Sequence, residues 1–293
     1  MRNYIELETD VLQHGEWTDN RTGTGTKSVI SRELRFDLQK GFPLVTSKKM
    51  ATKAIFGEDL WFIGGSADIM MLRQLSELSP EAFCIWQQNL EEYNKRIGQP
   101  DNTDLGYIYG RVWRKKECFG GHVVDQIANL VRDIEAVKEN PSHPAARRLI
   151  VDTWDAYAHT DETGMHCALP PCHYGFQCFV RNGRLSLKWH QRSVDTFLGL
   201  PFNIASYALI THILAALTGL EVGELIFTGG DVHLYEDHIE QAYIQTSRNT
   251  HKLPKLIMPD DITLEKLSNF EYTASDFKLE GYEHEPVLKG KMS

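Results

Sequence analysis

Basic residues are in short supply: 31 lysines and arginines face 40 aspartates and glutamates, a formal net charge of −9. That deficit excludes a nucleic-acid binder whose affinity comes from a broadly basic surface, so an anionic ligand must be met by a few local arginines. Paired cysteine spacing is missing as well. Cys84, Cys118, Cys167, Cys172 and Cys178 are odd in number, include no C-x-x-C pair, and set three of their members too close for a secreted disulfide scaffold. A reducing, cytoplasmic setting is expected, the host cytoplasm if the source is viral. The opening residues MRNYIELETDVLQHGEW hold no apolar core of signal-peptide length, and no run of about eighteen apolar residues occurs. No membrane contact is expected. Repeats, low-complexity tracts and Pro/Ser-rich linkers are absent too, which leaves one α+β domain over 1–293 as the expected organisation.

What is present is enough apolar matter for a large core: 42% of the chain is hydrophobic, with six tryptophans. Apolar spacing predicts an amphipathic helix over 3–14, then a polar loop through Asp19-Asn20-Arg21-Thr22-Gly23-Thr24-Gly25-Thr26. KSVISRELRFDL alternates and reads as a hairpin. Helices are expected over 53–62, 67–78 and 123–138, the last ending at Asn140-Pro141, and a strand over 149–154. Residues 204–218 are apolar around the whole circumference and read as a buried helix.

The stretch 168–193, ALPPCHYGFQCFVRNGRLSLKWHQRS, carries the clearest chemistry. Asn182-Gly183 is a strong two-residue hairpin signal, pairing Arg181 with Arg184. Counting back along an unbroken ladder sets Cys172 opposite Ser193, beside Arg192. Strict alternation would turn Arg192 to the opposite face from the thiol, so bringing the two together requires a bulge. A thiolate beside a guanidinium ionises below its usual value of about 8.5, which makes a nucleophile. The competing reading is a small core cysteine, the commoner fate of that residue.

Other residues admit two readings. Glu58 sits among Phe56, Leu60 and Trp61, surroundings that raise a carboxyl pKa and suit acid/base work, or it is an exposed helix residue. Arg147-Arg148 after NPSHPAA reads as a solvated pair at a strand start, and Asn203 in LPFNIAS as a helix N-cap. His233 and Tyr235, two apart on an expected strand, share one face. The glycines around Arg21 are by themselves a weak phosphate signal.

LPPCH, QRSVD, FLGLPFNIASY and GGDVHLY, with RTGTGT near the start and DLGYIYG mid-chain, closely resemble the thymidylate synthase family, in order from residue 3 to about 282. The resemblance implies a homodimer in which a large mixed sheet packs against the same sheet of a second subunit, with helices on the other face. It implies that Cys172 attacks C6 of deoxyuridylate and that 5,10-methylenetetrahydrofolate serves as co-substrate, with no metal. Asn203 would then read the uracil edge, donating to O4 and accepting from N3-H. Phosphate would fall to Arg21, Arg192 and Ser193, with Arg147 and Arg148 crossing from the other subunit. Gln191 and Asp195 would line the nucleotide site, and His233 and Tyr235 would take the 3′-hydroxyl. Glu58, Tyr109 and His173 would handle protons. Trp86, Asn89, Leu169, Asp195, Gly199 and Phe202 would contact the folate, and Lys48 would answer its glutamate tail.

Three departures from the family pattern leave the product open. Ile85-Trp86-Gln87-Gln88 replaces the usual Trp-Asp, Leu105-Gly106-Tyr107 replaces Leu-Gly-Pro, and Lys289-Gly290-Lys291-Met292-Ser293 lacks the usual apolar last residues. Each lies where hydride or water would meet the exocyclic methylene, so a deoxyuridylate 5-hydroxymethylase is the alternative expectation. A non-catalytic nucleotide- or RNA-binding homologue is disfavoured, because Cys172, Glu58, Arg192 and Asn203 are all present and the charge is acidic.

Overall fold

The computed structural model describes residues 1–19, 23–79, 81–159 and 166–291. The chain opens with α1 (Arg2–His14), whose Tyr4, Leu7 and Val11 recur at helical spacing and are buried. Next come β1 (Glu16–Thr18), β2 (Thr26–Asp37), α2 (Thr52–Gly64), α3 (Ile69–Leu75), α4 (Gln87–Ile97) and α5 (Tyr109–Arg114). A small hairpin, β3 (Lys116–Glu117) and β4 (Val123–Val124), leads to α6 (Gln126–Glu139) and β5 (Ile150–Asp152). The centre of the molecule is β6 (His173–Arg181), β7 (Arg184–Asp195), α7 (Gly199–Thr218) and β8 (Glu221–Tyr235). The chain then adds α8 (Ile239–Ser247), β9 (Lys255–Ile257), α9 (Leu264–Ser268) and β10 (Lys278–Glu280).

Among the described residues the main sheet has six strands in the order β1-β2-β8-β7-β6-β5. β7 and β8 run parallel while their neighbours run antiparallel, so the sheet is mixed and the fold α+β, as expected. Parallel neighbours cannot be joined by a tight turn, and α7 supplies the crossover. That helix packs on both strands it joins, with the Trp189 ring stacked on Tyr207 at 4.9 Å and 8°. By length and composition α7 is apolar enough to cross a membrane, yet most of it is buried against the protein's own sheet. Its burial all round follows from that position.

The expected hairpin at Asn182-Gly183 is present: Arg181 pairs with Arg184, and both turn residues take positive φ, 52° and 73°. The expected bulge is present too. The ladder runs without interruption from the turn to Gly175–His190, then shifts so that His173 pairs with Gln191. In consequence the Arg192 N–H donates to the Cys172 carbonyl at 2.8 Å.

Two expectations fail. KSVISRELRFDL lies in one continuous strand, β2, paired with β8 on both sides of Ser31, whose φ of 54° makes no turn. The alternation was read correctly, but the partner that keeps β2 straight comes nearly two hundred residues later. The expected 123–138 helix begins at Gln126, because the Asp125 side chain caps it by accepting from the Ala128 N–H, while Val123–Val124 pair with β3.

Candidate active site

Two prolines set the approach to the thiol. Arg192 Nε donates to the Pro171 carbonyl and Nη2 to the Pro170 carbonyl, each at 3.0 Å. The rigid Pro-Pro pair thus presents two fixed acceptors to one guanidinium fork, and Cys172 follows directly. The other face of that guanidinium lies 5.7 Å from the centre of the Trp154 ring. Cys172 itself is half-buried and in no disulfide.

The backbone N–H of Cys172 donates to the Tyr109 hydroxyl at 2.9 Å, which leaves the phenol proton for another acceptor. Tyr109 stacks on His173 at 4.3 Å, and His173 Nδ1 lies 2.8 Å from the Tyr207 hydroxyl. Burial pushes the His173 imidazole down to about 3, so it is neutral and can only relay hydrogen bonds at neutral pH. Burial also raises the Tyr109 and Tyr207 phenols.

Glu58 joins this group through an aromatic bridge. The Trp86 indole N–H donates to Glu58 Oε1 at 2.6 Å, and the Trp86 ring lies 6.0 Å from Tyr109. Burial pushes the Glu58 carboxyl up to about 7, against the opposing pull of the indole. A carboxyl poised there can give and take a proton near neutrality. Phe62, one turn along α2, packs on Tyr109 at 4.9 Å and fixes the geometry.

Asn203 lies inside α7, which starts at Gly199, and is therefore not an N-cap as one reading had it. The start of α7 is instead organised by Asp195, whose carboxylate accepts from the Phe197 and Leu198 N–H groups at 3.0 and 3.1 Å. Gln191 donates to Asn203 Oδ1 at 3.1 Å and to the Ser193 carbonyl at 3.0 Å. That bond orients the amide: its Nδ2 is left to donate and the second lone pair of Oδ1 to accept. Asp195 pairs with His233 across β7 and β8, and the Thr196 N–H donates to the His233 carbonyl at 2.9 Å. The rings of His233 and Tyr235 meet edge to face at 5.2 Å.

Cys172, Glu58, Trp86, Tyr109, His173, Gln191, Arg192 and Asn203 thus form one connected network, with Asp195, His233 and Tyr235 along its flank. Leu169 and Phe202 stay partly exposed on the core's edge, and Gly199 lies between Asp195 and Asn203, where an added Cβ would meet them at 3.6 and 3.9 Å. Arg147 and Arg148 are exposed; the Arg148 side chain donates to Pro144 O and the Arg147 carbonyl accepts from Gln177. Arg147 ends a short 3-10 turn and Arg148 caps it, just ahead of β5, so the solvated pair lies beside a strand start as one reading had it. Arg21 lies outside the described residues, as do Met292 and Ser293. Lys48 is only 4% exposed and donates to the Phe197 carbonyl, with its ammonium 3.7 Å above the Phe197 ring, so it faces the protein instead of a ligand tail. No cluster of three metal-ligating side chains occurs among the described residues.

Sequence reasoning passed over Tyr207, Asp59 and Glu8. Tyr207 closes the FNIASY motif, and its partner His173 was already singled out. Asp59 and Glu8 are acids on buried helical faces, a mismatch visible in the pattern itself.

A mixed sheet backed by helices, with a thiol, an amide and a poised carboxyl gathered beside its central strands, describes a one-carbon transferase of known architecture. The chain belongs to the thymidylate synthase family, whose model matches residues 2–293. It is 48% identical over 295 residues, covering all of both chains, to the probable thymidylate synthase of Escherichia phage T5. To the thymidylate synthase of Listeria monocytogenes serotype 4a (strain HCC23) it is 39% identical over 328 residues, again covering all of both.

Proposed function

We propose that the protein converts deoxyuridylate to thymidylate, with Cys172 adding to C6 of the base. The observation that carries this reading is the register shift next to Cys172, which sets the thiol's backbone against Arg192 while Tyr109 and Trp86 link it to Glu58. Addition at C6 makes an enolate whose charge falls on O4. Asn203 donates there, and Glu58 moves protons at O4 and C5. When bound, 5,10-methylenetetrahydrofolate would supply the one-carbon unit and the hydride. Trp86, Asn89, Leu169, Gly199 and Phe202 hold its ring with Asp195. Arg21, Arg192 and Ser193 take the phosphate, and His233 and Tyr235 the 3′-hydroxyl.

Residues 1–293 work as one catalytic domain, in a homodimer whose Arg147 and Arg148 reach the partner's phosphate. In support, the sheet face opposite α7 leaves apolar groups in water, Ile30 at 85% and Ile150 at 52% exposure. Methyl is favoured over hydroxymethyl as the product. Gln87 bonds to Glu91 at 3.0 Å and accepts from Arg73, while the Tyr107 hydroxyl accepts from the Glu117 N–H at 2.8 Å. None of these bonds engages Glu58 or Cys172. The test is to follow dihydrofolate by absorbance and the nucleotide by mass. One dihydrofolate per nucleotide methylated is expected, with Cys172→Ala inactive yet still binding deoxyuridylate. Nucleotide consumed with a gain of hydroxymethyl and no dihydrofolate sinks the methyl assignment.

A further inference from the structure

Glu8 is a fully buried carboxyl that the reaction as described does not use. It lies on the inner face of α1, beneath the turn formed by residues 195–198. The Tyr4 hydroxyl donates to the Thr196 carbonyl at 2.9 Å and lies 3.4 Å from Glu8 Oε1. One phenol proton cannot serve both acceptors well. With it committed to Thr196, a protonated Glu8 donates to the phenol oxygen in return. Lys48 holds the next carbonyl, that of Phe197, and its charge acts on both Glu8 and Asp195. Two consecutive carbonyls of one turn are therefore held by two side chains that both answer to Glu8. Glu8 Oε2 has no hydrogen-bond partner among the described residues, so the acid is kept at a cost that packing alone does not explain.

We propose that Glu8 is a positioning residue for the reaction, acting through Tyr4 and Lys48 to hold residues 195–198, and with them Asp195, in the geometry that binds folate. This rests on the reading of Asp195 as a folate contact. The turn also reaches the nucleotide side, since the Thr196 hydroxyl donates to the His233 carbonyl at 3.0 Å. The groups that face Glu8 are Tyr4 on its own helix, Lys48 before α2 and Asp195 at the end of β7, with Arg248 after α8 a like charge near Lys48. Burial pushes Glu8 up to about 8 and Lys48 down to about 8. Near neutrality the carboxyl is protonated and the ammonium charged. At higher pH the ionising Glu8 keeps the proton on Lys48.

The test measures folate KM and kcat at saturating deoxyuridylate across the alkaline range for the parent, Glu8→Gln and Glu8→Leu. The parent's folate KM is expected to rise above about pH 8. Glu8→Gln should keep the neutral-pH value within about twofold, because the amide still donates to Tyr4. It should move the rise to lower pH, because Lys48 has lost the anion that retains its proton. Glu8→Leu should raise folate KM about fivefold at neutral pH, with kcat nearly unchanged. Parent-like curves for both variants overturn the proposal, and if Glu8→Leu does not fold, the pH shift in Glu8→Gln decides alone. A parent without folate-dependent turnover is a separate outcome, which removes the proposed function and this inference with it.

Discussion

At the scale of single residues, the site works by burying acids and then choosing what they touch. Glu58 and Asp59 are consecutive in α2, yet an indole N–H holds the first and the Ser206 hydroxyl the second. Burial raises both, Asp59 well above the usual carboxylate range, and Asp59 Oδ2 is left without a partner among the described residues. A folded-state pKa above the unfolded one means stability that is full below about pH 4 and lost as pH rises towards the folded value. Asp59→Asn removes that titration. Its melting temperature relative to the parent should therefore climb from about pH 4 to neutrality, as scanning calorimetry would record. A constant gap would mean that Asp59 does not titrate on unfolding. Glu58 was legible in the sequence from its apolar neighbours, whereas Asp59 and Glu8 showed only as anomalies: Glu8 falls four residues after Tyr4 on an otherwise apolar stripe, but spacing does not say whether such an acid is buried or turned out to water.

At the scale of elements, what could be read from the sequence divides by the reach of the contact. The β6–β7 hairpin was legible down to its pairing because Asn182-Gly183 dictates it locally, and the bulge followed from requiring Cys172 and Arg192 to meet. β2 was misread because its straightness is imposed by β8, and α6 began late because β3 claims Val123 and Val124. The proline pair is intermediate: its stiffness was plain, but its two carbonyls as acceptors for Arg192 emerge only when the strands pair. The turn makes a sharp prediction. Gly183 has φ 73°, so Gly183→Val should cost roughly 1–2 kcal/mol of stability by denaturant titration, with kcat unchanged for the folded fraction. A neutral substitution would show that the hairpin can adopt another turn.

At the scale of the whole molecule, the exposed Arg147 and Arg148 and the wet apolar groups Ile30 and Ile150 belong to a chain expected to be half of an active unit. Mixing an Arg147→Ala, Arg148→Ala protein with a Cys172→Ala protein should restore part of the activity, since one hybrid site then has both a thiol and the partner's arginines. Absence of recovery after verified subunit exchange would count against sharing.

The hairpin that carries the thiol also sets an order in time. Closing β6 on β7 across a two-residue turn costs little chain entropy, whereas bringing α2 to that hairpin, or β2 to β8, closes loops of about a hundred residues or more. Cys172 and Arg192 are therefore expected to meet early in folding, with Glu58 arriving later. Pulsed hydrogen exchange during refolding should find β6–β7 amides protected before those of β2, and simultaneous protection would contradict it. Until Glu58 arrives, the refolding chain would hold Cys172 beside Arg192 without the Trp86–Glu58 pair that completes the network.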